Sequence, residues 1–84
     1  MSWYVYMLRC RDGSLYTGYT DDVQRRLTVH NSGKGAKYTR SRLPVSLVYQ
    51  EACTEKSAAL KREYAIKSMS KQEKELLILE KEPV

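Results

Sequence analysis

The side chains best suited to chemistry lie in one segment, SLYTGYTDDVQRRLTVHN, which spans residues 14–31. A strand-like stretch with a tyrosine and a glycine leads into a helix-like stretch with three basic side chains: Tyr16, Gly18, Arg25, Arg26 and His30. Arg26 and His30 are four residues apart, so they share one face of a helix, with Arg25 beside them. Such a group can bind an anion such as phosphate, although a solvated helix face is the commoner role for basic residues at this spacing.

The charge of the chain indicates the same kind of ligand. Its 84 residues contain 15 Lys and Arg against 10 Asp and Glu, which gives a net charge of +5. Residues 25–42 hold six of the basic side chains, and His30, without any acidic residue. This balance favours an anionic partner, with nucleic acid as the first candidate; a soluble protein with a solvated basic surface is the simpler alternative.

The elements that must position these side chains can be predicted from apolar patterns and turn residues. We expect strands over Trp3–Cys10, Leu15–Tyr19 and Val45–Gln50. The order ββαβαα predicts an α+β fold with a three-stranded antiparallel sheet flanked by helices. A chain of this length is expected to form a single domain over residues 1–84, with an ordered core of about 3–79.

Capping signals set the expected ends of the three helices. The first should begin at Thr20 or Asp21, with Asp21 and Gln24 as a capping box and Val23 and Leu27 facing inward, and should end near Ser32–Gly33. A polar basic loop is expected over Gly33–Leu43, ended by Pro44. The second helix should run from a Thr54 cap to about Ser68, and the third from a Ser70–Glu73 capping box to a frayed end over Glu80–Val84.

The length of the first hairpin loop decides which tyrosines share a face of the sheet. A two-residue loop, Asp12–Gly13, would place Tyr6 and Tyr16 on opposite faces, because side chains alternate along a strand. A three-residue loop that begins at Arg11 and ends in a left-handed glycine pairs Tyr6 with Gly18 instead. The two tyrosines then share a face and Gly18 leaves space beside Tyr6, so we favour the three-residue loop.

Glu63 stands apart from the other acidic residues. It falls in the middle of the second predicted helix beside Ala59 and Leu60, where an apolar residue would be expected to cover the sheet. One interpretation is an exposed ion pair with Lys67, four residues on, worth about 0.3–0.5 kcal/mol. The other is a functional carboxylate, and the residues alone do not decide between the two.

Taken together, these residues resemble the GIY-YIG nuclease superfamily. Tyr4-Val5-Tyr6 is followed ten residues on by Tyr16-Thr17-Gly18, and then by Arg26, His30 and a glutamate on a helix, Glu63. The resemblance covers Trp3 to about Leu77, and the stretch HNSGKGAKYTRSRLPVSLVY is similar to small stand-alone bacterial members. Tyr4 and Thr17 depart from the glycine and isoleucine of the two tripeptides, but neither position carries chemistry.

The resemblance implies a divalent-metal-dependent endonuclease that hydrolyses phosphodiester bonds, with DNA favoured and repair or processing of structured or single-stranded DNA as a setting. Its implied catalytic residues are Tyr6 and Tyr16 at the attacking water, Arg26 on the phosphate, His30 in assistance and Glu63 as the ligand of Mg²⁺ or Mn²⁺. The residues expected to contact nucleic acid are Gly18, Arg25, Lys34, Lys37, Tyr38, Arg40 and Arg42.

Two other functions stay open at this point, a non-catalytic basic module that binds nucleic acid and an accessory protein that docks a partner. A protein partner could also supply substrate specificity, and the sequence does not fix the oligomeric state. Cys10 and Cys53 have no metal-ligand spacing and are expected to be reduced thiols. With no run near the ~18 apolar residues of a membrane helix, we expect a cytoplasmic protein that does not associate with membranes.

Overall fold

A computed structural model describes residues 2–81, in which three antiparallel strands form one sheet in the order β2-β1-β3. The strands are β1 (Trp3–Arg9), β2 (Leu15–Thr20) and β3 (Ser46–Cys53). The central strand β1 is buried on both faces, because four consecutive residues from Val5 to Leu8 are all buried. The predicted α+β fold with a three-stranded antiparallel sheet is therefore confirmed.

Helices cover both faces of this sheet. They are α1 (Val23–Asn31), α2 (Lys37–Arg40), α3 (Lys56–Lys67) and α4 (Lys71–Lys81). On one face, Tyr6, Leu8 and Cys10 pack with Val23 of α1 and with Val45. On the other face, Val5 and Met7 pack with Tyr49 and with residues of α3 and α4, namely Ala59, Ile66 and Ile78. The two layers therefore meet at the free edge of β2.

The first hairpin has the three-residue loop that was expected. Gly13 has a φ of 86°, its N–H donates to the Cys10 carbonyl at 2.9 Å, and Tyr6 is paired with Gly18. A positive φ of this kind favours glycine, which has no Cβ to clash with the backbone. Tyr6 and Tyr16 consequently project from the same face of the sheet.

The predicted start of the first helix was wrong. The N-cap is Asp22, whose side chain accepts from the Arg25 N–H at 3.0 Å, and no capping box between Asp21 and Gln24 is formed. Thr20 is still part of β2, and its hydroxyl accepts from the Asp22 N–H at 3.1 Å. Because the strand extends one residue further than expected, the turn and the cap are displaced along the chain.

Two further element boundaries differ from the sequence prediction. The basic segment expected to be a loop contains α2, a single helical turn, since the Thr39 and Arg40 amides bond back to the Ala36 carbonyl. Thr54 does not cap α3; β3 extends to Cys53, and the N-cap is Glu55 without a side-chain hydrogen bond. Leu43–Pro44 is a cis peptide bond ahead of β3.

The end of α1 and the start of α4 agree with the prediction. Ser32 is the C-cap of α1 and Gly33 follows with a φ of 83°. The Ser70 N–H donates to Glu73 at 2.9 Å, and the Glu73 N–H donates to the Ser70 hydroxyl at 3.1 Å, so the capping box is formed in both directions.

At its far end α4 continues through Glu80 and Lys81, so the expected fraying there was wrong; the rest of the segment expected to fray lies outside the described residues. Among residues 2–81, no helix is long and apolar enough to cross a membrane.

The capping box gives a test of how α4 is held. Replacing Ser70 by Ala removes the hydroxyl that accepts from the Glu73 amide, so the free energy of unfolding should fall by about 1 kcal/mol. Ser57 is an exposed serine in the first turn of α3, and Ser57→Ala is the control with little expected change. Urea unfolding of both variants measures the difference, and equal midpoints would contradict the role of the box.

Candidate active site

A cleft of about 360 Å³ opens at the edge of β2, between the two helical layers. It brings together five of the residues that the sequence singled out: Tyr6, Tyr16, Gly18, Arg26 and Glu63. The tyrosines come from one face of the sheet and Arg26 from α1 above that face, whereas Glu63 comes from α3 on the opposite face. The site therefore wraps around the strand edge and is not built on either layer alone.

Gly18 makes this arrangement possible. A Cβ built at this position would lie 2.6 Å from the Tyr6 hydroxyl oxygen and 3.1 Å from a ring carbon of Tyr16. No side chain fits there while the tyrosines keep their positions. The missing side chain leaves a notch in the edge strand, and through this notch the cleft holds Glu63 and the Tyr6 hydroxyl side by side. The expected role of Gly18 as a space beside Tyr6 is confirmed.

Tyr6 and His30 form a buried hydrogen bond whose direction can be deduced. The Tyr6 hydroxyl lies 3.0 Å from His30 Nε2, and Thr39 Oγ1 lies 2.9 Å from His30 Nδ1. Thr39 gives its single hydroxyl proton to the Ala36 carbonyl at 2.9 Å, so it must accept from Nδ1–H. A neutral His30 then has a free lone pair on Nε2, which accepts from the Tyr6 hydroxyl.

The titration of these groups follows from burial and from Arg26. Burial lowers the pKa of His30, and the nearby Arg26 guanidinium lowers it further, so the imidazole is held neutral. Burial is also the main reason that the pKa of Tyr6 is raised to about 12, with smaller contributions from Tyr16 and Glu63, while Arg26 opposes the rise. The pKa of Tyr16 is raised by burial as well. Both tyrosines are therefore protonated at neutral pH.

Two residues that support His30 were missed by sequence reasoning. Thr39 is fully buried, although it lies in a segment expected to be a polar loop. Gly35 is buried against His30, and a Cβ at position 35 would overlap the imidazole ring. His30 itself was expected to lie on a solvated helix face and is fully buried instead. The signal available in the sequence was the run of small residues around Gly35, which leaves room for a ring.

Glu63 satisfies both interpretations that were open. Its side chain is only 15% exposed and lines the cleft, and one carboxylate oxygen lies 3.6 Å from Lys67 Nζ. Among residues 2–81 no group of three or more His, Cys, Asp or Glu side chains could hold a metal ion. A metal ion in this cleft would therefore have a single carboxylate ligand from the described chain.

The residues expected to bind nucleic acid are only partly available for that role. Arg25 pairs with Asp21 at 3.2 Å, and Arg42 pairs with Asp12 at 3.2 Å while lying 4.0 Å above the Tyr38 ring. The Arg40 side chain donates to the Gly35 carbonyl at 3.1 Å. Two lysines of the segment are exposed, Lys34 and Lys37. Charge counted along residues 25–42 missed the acidic partners, because both come from outside that segment.

The cleft also contains residues that the sequence did not single out. Trp3, Tyr19, Thr20, Asp21 and Lys56 complete its lining. Trp3 and Tyr19 form an aromatic pair with ring centroids 6.1 Å apart, and Lys56 Nζ lies 5.4 Å from the centre of the Trp3 ring. Strand alternation alone could have found Tyr19, because it pairs with Val5 beside the notch.

Comparison with known proteins agrees with this geometry. The model of the GIY-YIG catalytic domain matches residues 2–76. A UPF0213 protein of Staphylococcus saprophyticus is 58% identical over 77 residues, which cover 92% of this chain and 94% of the relative. A solution NMR structure of the UPF0213 protein BH0048 from Bacillus halodurans has a TM-score of 0.63 at 53% identity, covering 96% of this chain and 86% of that one.

A second NMR structure, of the protein EF2693 from E. faecalis, has a TM-score of 0.61 at 48% identity and covers 92% of this chain and 83% of that one. The fold and the site thus define a nuclease-type domain. The chain belongs to the GIY-YIG family, and its UPF0213 relatives are small single-domain members. The resemblance drawn from the two tripeptides is confirmed.

The role of Thr39 can be tested without any activity assay. His30 is the only histidine in the chain, so its ring nitrogens can be assigned by ¹⁵N NMR without ambiguity. We expect the wild-type protein to carry the proton on Nδ1, with a titration midpoint below the ordinary value near 6.5. Thr39→Val removes the acceptor of Nδ1–H and should lose this single tautomer, while Thr39→Ser should keep it. A wild-type imidazole protonated on Nε2 would contradict the deduced hydrogen-bond direction.

Proposed function

We propose that this chain is a divalent-metal-dependent endonuclease that hydrolyses phosphodiester bonds in nucleic acid, with DNA as its substrate. The observation that carries the proposal is the convergence of Tyr6, Arg26 and Glu63 in one cleft around the Gly18 notch. Hydrolysis of a phosphodiester needs an oriented water, a cation on the phosphate oxygens and a route for a proton. The cleft contains a side chain suited to each of these tasks.

Arg26 is the group suited to the phosphate. Its guanidinium lines the cleft and acts on the pKa values of Tyr6, Tyr16 and His30, so it lies near all three. A guanidinium presents a planar fork of donors to two phosphate oxygens, which an ammonium group does not. In this proposal Arg26 binds the scissile phosphate and stabilises the negative charge that develops on its oxygens.

Tyr6 and His30 are suited to proton transfer from the attacking water. With a pKa of about 12, Tyr6 scarcely forms a phenolate by itself at neutral pH. Its hydroxyl is hydrogen-bonded to a neutral imidazole nitrogen, so it can give a proton to His30 Nε2 as its oxygen takes one from water. Thr39 holds His30 in the orientation that this transfer requires. Tyr16 packs against the His30 ring at a centroid distance of 5.1 Å and closes the other side.

The residues present fit a magnesium or manganese ion, the cofactor that the family implies. Glu63 supplies one carboxylate in an open cleft, and Mg²⁺ commonly keeps several of its waters and binds through one or two carboxylates together with substrate phosphates. Glu63 would hold the ion, which when bound would polarise the phosphate and favour ionisation of a ligated water. The proton route through Tyr6 and His30 belongs to the chain itself.

One observation favours the alternative, a non-catalytic module that binds nucleic acid. Lys67 lies 3.6 Å from Glu63 and neutralises its charge in the same cleft. A carboxylate kept only for that contact would leave a basic cleft able to hold a phosphate without cleaving it. We infer a cytoplasmic role in DNA repair or processing for the nuclease, with a protein partner as a source of substrate specificity.

Glu63→Gln separates the two functions. The amide nearly keeps the shape of the carboxylate but removes the charge that would bind a metal ion. Cleavage of labelled single-stranded, flapped and branched DNA with Mg²⁺ or Mn²⁺ should fall below detection, while affinity for the same substrates in chelator should persist.

Glu80→Gln is the matched control, since Glu80 is an exposed glutamate on α4 outside the cleft and its change removes the same charge. It should leave cleavage intact. Nuclease activity that survives Glu63→Gln, or that continues in chelator, would refute the proposed mechanism. A wild-type protein that binds every substrate and cleaves none would support the binding module instead.

Arg26→Lys tests the phosphate contact. Lysine keeps the positive charge but loses the planar fork, so cleavage should fall by roughly 10²-fold or more, a loss comparable with that of one transition-state hydrogen-bond donor. Arg25→Lys is the control, because the neighbouring arginine pairs with Asp21 outside the proposed chemistry. Single-turnover cleavage rates of the two variants make the comparison, and equal rates would place the phosphate elsewhere.

A further inference from the structure

One side of α3 presents a stripe of residues to the edge of β2. Lys56, Glu63 and Lys67 are separated by seven and four residues, spacings that place them on one face of a helix. Lys56 and Glu63 line the candidate active site, and Lys67 lines a neighbouring cleft. The single carboxylate proposed to bind the metal ion is therefore flanked along its helix by a lysine on each side.

The neighbouring cleft follows the same strand edge. It has a volume of about 250 Å³ and is lined by Leu15, Tyr16, Thr17, Tyr38, Lys67 and Lys74. The candidate active site takes the later part of β2, from Tyr16 to Thr20, and this second cleft takes the earlier part. Tyr16 lines both, so the two clefts adjoin along one edge, and that edge is not covered by another strand.

Each end of this edge combines aromatic rings with a lysine. At one end, Trp3 pairs with Tyr19 and Lys56 lies over the Trp3 ring. At the other end, Tyr16 and Tyr38 are stacked with ring centroids 6.2 Å apart, and Lys74 lines the same cleft. Neither Lys56 nor Lys74 takes part in an ion pair within residues 2–81. Aromatic platforms beside free cations are typical of sites that bind unpaired nucleotides.

Thr17 adds an independent observation in the second cleft. Its hydroxyl oxygen is buried and has no hydrogen-bond partner within the described chain, the single such side-chain atom there. A buried polar group without a partner costs stability, so its presence calls for an explanation. Rotation about χ1 exchanges the hydroxyl with the methyl group and would turn the hydroxyl toward a ligand in the cleft. Thr17 can thus contact a polar edge of a bound base.

We propose that an unpaired nucleic-acid strand lies along the edge of β2, with a nucleotide-binding subsite on each side of the candidate active site. In the first, Lys56 binds a phosphate and the Trp3–Tyr19 pair contacts a base. In the second, Lys74 binds a phosphate, and Tyr16 and Tyr38 contact a base whose polar edge reaches Thr17. The choice of ligand rests on the proposed function, whereas the two subsites are assigned from their own residues.

The bases in these subsites must be unstacked from their neighbours. A paired duplex keeps its bases inside the helix, where aromatic side chains at a strand edge do not reach them. The basic residues near α2 are poor competitors for the strand, because Arg25 and Arg42 already have acidic partners. The track is therefore on the side of the molecule where α3 faces β2, and not along residues 25–42 as their charge alone suggested.

The test is a binding measurement in chelator, where cleavage cannot interfere. A labelled single-stranded DNA is titrated by fluorescence anisotropy at several salt concentrations, beside the same sequence as a duplex, as an RNA strand and as an abasic strand. The variant Lys56→Met/Lys74→Met should bind the single strand roughly tenfold more weakly. Its plot of log K against log salt should be shallower by about 1.4, since each lost phosphate contact on a single strand removes about 0.7.

The matched control is Lys61→Met/Lys71→Met, which makes the same charge change on the same two helices. Lys61 and Lys71 are exposed, and neither lines either cleft. This control should keep both the affinity and the salt slope. If it weakens binding as much as the first variant does, only net charge matters and the subsites are refuted. Thermal unfolding of both variants excludes a folding defect.

The base contacts need their own variants. Tyr38→Leu should weaken binding of the base-bearing strand several-fold, without changing the salt slope or the affinity for the abasic strand. Thr17→Val should leave the free energy of unfolding unchanged or raised, because no hydrogen bond is lost, and yet weaken nucleotide binding. An abasic strand bound as tightly as the normal one, or a duplex bound more tightly than the single strand, would overturn the proposal.

Failure of this inference can be told apart from failure of the nuclease proposal. A chain that binds the strand through Lys56 and Lys74 but cleaves nothing retains the subsites and loses the enzyme. A chain that cleaves with Mg²⁺ but is indifferent to both lysine substitutions retains the enzyme and loses the subsites. The DNA and RNA arms separate the two sources of the strand, since tighter binding of the RNA would indicate a contact to its 2′-hydroxyl groups.

Discussion

The close approach of the Tyr6 hydroxyl to the backbone of Gly18 is the constraint on which the site depends. It requires that residues 6 and 18 be directly paired, and this pairing is fixed by a three-residue loop that ends in a left-handed glycine. A slip of one residue would turn Tyr16 to the opposite face and close the notch with a side chain. The position of one glycine in the hairpin loop thus determines whether the tyrosines can meet any other functional group.

The notch also explains why a sheet covered on both faces can assemble a site from both layers. Side chains on opposite faces of a strand are normally separated by the backbone and by their own Cβ atoms. At the edge of β2 the missing side chain removes this barrier, and Glu63 from one layer shares a cleft with Tyr6 and Arg26 from the other. The rest of the sheet is filled by apolar packing on both faces, so the edge is where an open polar cleft can form.

The sequence predicted the sheet, the hairpin register and the cleft residues because these depend on local rules. Alternation along a strand, glycine in a left-handed turn and helical spacing act over a few residues, and they place Tyr6, Gly18 and Glu63 correctly. The buried support of His30 could not be predicted in the same way. It depends on Gly35 and Thr39, which fold back over α1, and a polar sequence pattern does not show that a threonine will be buried under a ring. The N-caps were misplaced for a related reason, since β2 and β3 each extend further than their apolar pattern.

The relation between Glu63 and Lys67 shows how a structural contact and a functional group can coincide. An ion pair at this spacing on a helix contributes about 0.3–0.5 kcal/mol, so a ligand that displaces the lysine costs the fold little. The lysine is about half exposed and is long enough to leave the carboxylate for the adjoining cleft, which it already lines. The ion pair therefore does not argue against a role for Glu63 in binding a metal ion. It holds the carboxylate in place within a basic cleft until a phosphate and its counterion take over the same charges.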